Sequence, residues 1–487
     1  MKLSEQIRAK FNGADDIVYT ELSLRGGFPV LVVFCDGMTN SKIANDDVLK
    51  PISELPELRD ARTETELVER IMDGAVYHCQ RKLYETADET IADILFGGVA
   101  LVFDRTATAV VFDSKGFESR SVGEPTSEHS IKGAKEGFVE NLRTNTAIVR
   151  RRLQTPDLKV KQYKIGRRTA TSVAVMYFAG VANSGTLAAI DAKLADTDID
   201  GLASASQFEA ILYGRLNTMF PQALYTERPD RFVGNLLEGR IGIVIDGLPF
   251  CYITPVDFNS FLQASDDYAQ GAVTNSVYRA LRYICTLLSL ILPAFYVAIT
   301  TFHQEMLPTK LALSIIQSKQ GVPFPTFVEV LLMLLSFEVL LEAGLHLPAT
   351  IGQSVSIIGG LVVGQAAVQA SLLSPGVVII IALSGVTGFA IPSQDMARIL
   401  RMSRLALVLL ASVGGLFTLV MGLIFILYQM CTIEIFGTPY VAPFGGNDYK
   451  QLFDDTIFRV GWTDKTERPV SIAPEDKIRA EAPGEAE

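Results

Sequence analysis

Three ionisable residues recur every four positions in one apolar run, "FVEVLLMLLSFEVLLEAGLHLP": Glu338, Glu342 and His346. On an α-helix this spacing puts them on one face. A charge in hydrocarbon costs about 3 kcal/mol or more unless it is paired or faces water. Two readings follow. The three form an interior cluster, with carboxylates protonated or bonded to neighbours, or they line a wet path for a cation. The next apolar run, "IGQSVSIIGGLVVGQAAVQASLL", is rich in Gly, Ala, Ser and Gln. Gly360 and Gly364 form a GxxxG that lets helices approach closely. Gln365 and Gln369, one turn apart, suit interhelical hydrogen bonds or a pore lining, and Val362 and Val363 could close such a pore by dewetting.

A third group is basic. "RRRLQTPDLKVKQYKIGRR" (150–168) holds eight Lys or Arg and one acid, in a chain of net charge −11. Nucleic acid, anionic lipid and an acidic protein surface are the possible partners. The acidic overall balance argues against a nucleic-acid binder. Arg150, Arg151, Arg152, Lys159 and Lys161 either pair with acidic flanking units or form a docking surface for lipid headgroups or a neighbouring subunit. No catalytic residue, metal site or cofactor is expected. HExxH and GxSxG are absent, and the five cysteines (Cys35, Cys79, Cys251, Cys285, Cys431) form no CxxC.

The elements that would carry these groups split the chain in two. Hydrophobic residues make up 49% and charged residues 20% of it. Charges are frequent up to Arg282 and sparse from Tyr283 to Tyr428. Five apolar stretches read as membrane spans: about 281–303, 326–346, 349–372, 375–394 and 405–428. Arg279 and Arg282 precede the first, and "RILRMSR" (Arg398, Arg401, Arg404) reads as a loop before the last. With the amino terminus inside, that loop also falls inside, as the positive-inside rule wants. Five crossings leave the tail outside; its own Lys and Arg residues favour inside, and a half-span would reconcile the two. The segment 307–325 is amphipathic and too short to span, so it lies at the surface or re-enters. "MKLSEQIRAKFNGADD" has no apolar core, so it is not a signal peptide, and the soluble half is expected in the cytoplasm.

The soluble half contains a repeat. "VLVVFCDGMTNS" and "VAVMYFAGVANS" each run from a β-branched stretch into Gly-x-x-Asn-Ser and then a helical segment. Gly37 and Asn40 match Gly180 and Asn183, and Asn or the Ser beside it would cap the helix. "GGVALVFDRTATAVVFD" and "EGRIGIVIDGLPFCYIT" both read as strand–turn–strand. The expected fold is an α/β cytoplasmic domain made of two similar subdomains, followed by an α-helical polytopic membrane domain. The expected boundaries are 1–125 and 165–265 for the subdomains and 126–164 for a basic helical linker. The transmembrane domain is expected at 279–430 and a polar tail at 431–487.

Several blocks, among them "ENLRTNTAIVRRRLQTPDLKV", "LLEGRIGIVIDGLPF", "TTFHQEMLPT", "GVPFPTFVEVLLM" and "IGQSVSIIGGLVVGQAAVQA", resemble the A subunit of the spore germinant receptors of endospore-forming bacteria. The resemblance covers about residues 20–445. It implies a place in the spore inner membrane, a transporter-like B subunit and a lipoprotein C subunit as partners, and a homo-oligomer acting as a nutrient-gated channel for monovalent cations. A related sporulation-stage membrane protein shares much of the pattern. A secondary transporter is the alternative that intramembrane carboxylates suggest; the five spans show no internal repeat to support it.

Overall fold

The structure, a computed structural model, describes residues 1–24, 27–59, 61–76, 80–116, 123, 125, 128, 130, 132–214, 218–268, 271–346, 364–445, 456–458 and 467–478. The first half holds two five-stranded sheets. Strands β1 (Ile17–Ser23), β2 (Pro29–Cys35), β3 (Arg81–Tyr84), β4 (Val99–Phe103) and β5 (Thr108–Phe112) lie in the order β1-β2-β4-β5-β3. Strands β6 (Leu158–Ile165), β7 (Thr171–Phe178), β8 (Leu224–Thr226), β9 (Ile241–Ile245) and β10 (Cys251–Thr254) lie in the order β6-β7-β9-β10-β8. The two sheets share one topology, and their ladders are antiparallel.

Both faces of each sheet's centre are covered, which is why β2, β4, β5, β7 and β9 read as nearly continuous apolar runs. On β2, Val30 and Val32 enter one core while Leu31, Val33 and Cys35 enter the other. Helices α1 (Leu3–Lys10) and α2 (Ala87–Leu95) cover the second of these faces. Short helical turns carrying Val48, Ile52, Leu67 and Ile71 cover the first. On the second sheet, α3 (Leu142–Arg152) and α6 (Pro229–Leu237) pack one face, and α4 (Ser184–Ala195) and α5 (Ala205–Tyr213) the other.

The repeated turn is built alike in both copies. Gly37 and Gly180 have φ of +80° and +78°, the left-handed region that a Cβ disfavours. Asn40 Oδ1 accepts from the N–H of Lys42 and Ile43, and Asn183 Oδ1 accepts from that of Thr186. Asn, not the Ser beside it, is the cap in each.

One boundary differs from the sequence reading. Residues 158–164, expected in a helical linker, belong to β6. Leu158 and Val160 enter one core, and Tyr163 and Ile165 the other. This period of two marks a strand, which the charge count of the stretch hides.

The second half is helical: α7 (Ala272–Thr301), α8 (Thr309–Ser318), α9 (Thr326–His346), α10 (Pro375–Gly388) and α11 (Gln394–Cys431). By length and composition, α7 and α11 could each cross a membrane, with mean hydropathy of 2.0 and 2.4 over their most apolar windows. Three expectations need correction. Helix α7 begins at Ala272, ahead of the expected 281, and Asn275 and Arg279 of its first turns bond to Asp267 just before it. Helix α10 ends at Gly388 after 14 residues, fewer than the ~20 that span a bilayer. "RILRMSR" is no loop: it lies inside α11. Of the expected span 349–372, residues 349–363 lie outside the described residues, and 364–369 are helical.

Helix α11 is not straight. Gly414 (φ −139°, ψ 19°) and Gly415 (φ 63°, ψ −137°) leave helical geometry in its middle. The core of the second sheet runs on into the helical part through Val256, Phe261 and Tyr440, which share one buried cluster with Leu290, Ala294 and Leu407.

Candidate functional site

A chain of buried polar groups crosses three helices. Pro293 lies inside α7 and has no N–H, so the carbonyl of Ser289, four residues earlier, loses its helical donor. Ser384 of α10 replaces it: its Oγ donates to Ser289 O at 3.0 Å. Arg404 of α11 in turn donates from Nη1 to Ser384 Oγ at 2.9 Å. Ser289, Ser384 and Arg404 are 2%, 0% and 2% exposed. Each member satisfies a group that would otherwise stand unpaired in an apolar setting.

Glu338, on α9, meets the same region. Arg401 Nε donates to Glu338 Oε1 at 3.3 Å, and both side chains are partly buried. Glu338 therefore stands beside two guanidiniums, Arg401 and Arg404. Of the other two acid–base candidates, Glu342 is exposed on the same helix and His346 is its last residue. In the next segment Gly360, Val362 and Val363 lie outside the described residues. Gly364 is buried, and a Cβ there would lie 3.8 Å from Val378 of α10, while Gln365 and Gln369 are exposed.

Sequence reasoning passed over Glu329, which is fully buried in the first turn of α9. Its Oε2 accepts from the N–H of Ser374 at 2.7 Å, where α10 begins. It passed over Ser289 and Ser384 too; the signal was available, since a proline within a helix frees the carbonyl four residues before it.

At the neck between the two halves, Asp267 is 1% exposed and takes Arg279 Nε at 3.1 Å and Arg282 Nη1 and Nη2 at 2.6 and 2.7 Å. Asn259 joins α7 to the tail: its Oδ1 accepts from Tyr283 OH and its Nδ2 donates to Ala442 O, both at 2.7 Å. Farther on, Asn183 Nδ2 donates to Ala473 O at 2.9 Å, and Glu475 Oε1 accepts from Ser184 N–H at 3.0 Å. The tail thus closes over the Gly-x-x-Asn-Ser turn of the second sheet.

The five basic candidates are engaged within the chain. Arg150, 1% exposed, grips Asp16 with Nε and Nη2 at 2.9 Å each, and its Nη1 donates to the carbonyls of Thr155 and Leu158. Arg151 and Arg152 both pair with Glu136. Burial works against the charged form of Glu136, and the two guanidinium hydrogen bonds outweigh it, so its pKa lies below the usual carboxylate value. Lys159 donates to Lys10 O at 2.8 Å, and burial lowers its pKa. Lys161 pairs with Asp191 at 2.6 Å.

Residues 5–471 match the family model described as Bacillus/Clostridium GerA spore germination protein. The chain is 34% identical over 480 residues to spore germination protein KA of Bacillus subtilis (strain 168), covering 97% of this chain and 87% of that one. It is 27% identical over 434 residues to stage V sporulation protein AF of the same organism, covering 89% and 87%. Among solved structures, the N-terminal domain of the A subunit of the Bacillus megaterium spore germinant receptor GerK3 matches with 27% identity and a TM-score of 0.41, over 52% of this chain and 94% of that one.

Proposed function

The chain belongs to the Bacillus/Clostridium GerA spore germination protein family, and on that footing we propose that it is the A-type membrane subunit of a nutrient-sensing spore germinant receptor, oligomerising to form or gate an ion channel. The observation that carries the reading is the family match, which takes in the α/β domain and the helical part together. In this reading the helical part spans the spore inner membrane several times and the α/β domain faces the cytoplasm. A transporter-like subunit and a lipoprotein subunit complete the receptor, and monovalent cations pass on opening.

The buried polar chain gives the reading a physical handle. Helices α7, α10 and α11 are held in register by Ser289, Ser384 and Arg404, and α9 joins through Glu338 and Arg401. Such a junction has few alternative arrangements, so a shift of one helix obliges the others to re-pair. In this reading the conducting path runs along the segment from Gly360 to Gln369. Glu338 then acts on gating through Arg401.

The test is made in spores of the host. Deletion of the gene, and separately Glu338→Gln and Val362→Ala at unchanged protein level, are followed by potassium release on nutrient addition. Loss of release on deletion, altered kinetics in Glu338→Gln and nutrient-independent release in Val362→Ala are expected. Wild-type release in all three strains would reject the reading.

A further inference from the structure

Helix α11 (394–431) is long and apolar enough to pass for one membrane-crossing helix, yet the geometry around Gly414 and Gly415 turns the chain back on itself. A Cβ built on Gly422 would lie 2.7 Å from Leu407 Cδ2 and 2.8 Å from Leu410 Cδ1. In a straight helix residues 407 and 422 stand about 22 Å apart. Thr418 Oγ1 donates to Leu410 O at 2.6 Å, eight residues back, which a straight helix also forbids. The tip itself admits glycine alone: Gly415 takes φ 63° with ψ −137°, and a Cβ there would meet Phe302 Cβ at 2.8 Å and His303 Cε1 at 2.7 Å.

Three contacts fix where the hairpin's ends and tip lie. Pro392 to Asp395 line a small cavity together with Leu224, Tyr225 and Phe261 of the α/β domain. After the second arm, Tyr440 O accepts from Phe258 N–H at 2.8 Å, and Phe436 packs on Tyr213 with ring centroids 5.8 Å apart. Both ends therefore sit on the α/β domain. The tip touches Phe302 and His303, just past the end of α7, whose other end is clamped to Asp267.

We infer that residues 394–431 enter the membrane and return, as two antiparallel arms (394–413 and 416–431) with the tip at Gly414–Gly415 on the side away from the α/β domain, so that the tail from 432 onward shares the α/β domain's side. The inference rests on the membrane reading of the helical part. It changes the parity of the crossings: the last apolar stretch returns the chain instead of exporting it, and the Lys and Arg residues of the tail fall on the inner side, as the positive-inside rule favours.

Two measurements on the full chain in native membrane vesicles, with the five native cysteines replaced by alanine, test it. The first bridges Leu407→Cys and Gly422→Cys with a short bis-thiol reagent. An intramolecular bridge is expected, and its absence in protein that still labels at each single cysteine would overturn the hairpin. The second uses surface positions alone. Ser206→Cys on the α/β domain, Glu305→Cys beyond α7 and Glu434→Cys after the second arm are labelled with a membrane-impermeant thiol reagent in vesicles of each orientation. Glu434→Cys is expected to label with Ser206→Cys and opposite to Glu305→Cys. Labelling of Glu434→Cys with Glu305→Cys instead would sink the hairpin and leave the membrane reading standing. Labelling of all three from one side would remove the membrane reading, and the hairpin topology with it.

Discussion

Ser384 Oγ donates to the carbonyl of Ser289 in place of the N–H that Pro293 lacks, and the bond ties α10 to α7. Ser384→Ala should lower the stability of the detergent-solubilised chain by about 1–3 kcal/mol, the cost of stranding a buried acceptor. Pro293→Ala restores a main-chain donor to Ser289. In the Pro293→Ala background the Ser384→Ala penalty should shrink. Thermal unfolding midpoints of the four proteins check this; a penalty of equal size in both backgrounds would refute the relationship.

Glu338 and Arg401 should be coupled. Glu338→Gln leaves Arg401 facing Arg404 without its carboxylate, and Arg401→Gln leaves Glu338 with Arg404 alone. The double variant should lie nearer the parent than the sum of the singles, by about 0.5–1 kcal/mol in a double-mutant cycle of denaturant midpoints. Additive effects would mean that the pair contributes nothing.

Arg150 and Arg151 are neighbours in sequence with unequal roles. Arg150→Ala strands the Asp16 carboxylate in the interior and should cost about 3–5 kcal/mol. Arg151→Ala breaks a part-exposed pair and should cost about 1 kcal/mol or less. Comparing the unfolding of the two variants decides it: equal costs would contradict the buried clamp.

The Glu136 pair with Arg151 and Arg152 implies a sign for pH. A carboxylate held below its unfolded pKa contributes stability at pH values above about 4.3, and that contribution is lost as pH falls through the lowered folded value. Arg151→Gln with Arg152→Gln should remove this acid-dependent part. Stability measured between pH 6 and pH 3 should then fall less steeply than in the parent; parallel curves would rule the pair out as a source of acid sensitivity.

Asn183 has two tasks, an Oδ1 cap on Thr186 N–H and an Nδ2 bond to Ala473 O. Asn183→Asp keeps the cap and loses the donor, and sets a second carboxylate near Glu475. The tail should then detach while α4 holds. Limited proteolysis within 467–478 should speed up severalfold with little change in unfolding midpoint. Protection equal to the parent would show that other contacts hold the tail.

The parts legible in the sequence are those set by local rules. Gly37-x-x-Asn40 and Gly180-x-x-Asn183 announce their turn and cap because both requirements lie within four residues. The parts that were hidden depend on partners far along the chain. Arg401 and Arg404 read as loop cations because charge in a membrane helix is costly, and the partner that makes it tolerable, Glu338, is 63 residues away from Arg401. Gly414–Gly415 leaves the hydropathy of its stretch unchanged whether the helix is straight or folded. The basic run around Arg150 reads as a surface because a count of charges is blind to Asp16, 134 residues earlier.

Tyr440 lies buried in the same cluster as Phe220 and Phe261, and Ala473 and Glu475 close the turn at Asn183. These pieces leave the ribosome after helices α7 to α11. The first sheet, with α1 and α2, has its core partners before any helix of the second half is made; the second must wait with a gap in its core until Tyr440 has been made. A chain that ends before Tyr440 would therefore leave the core of the second sheet unfinished.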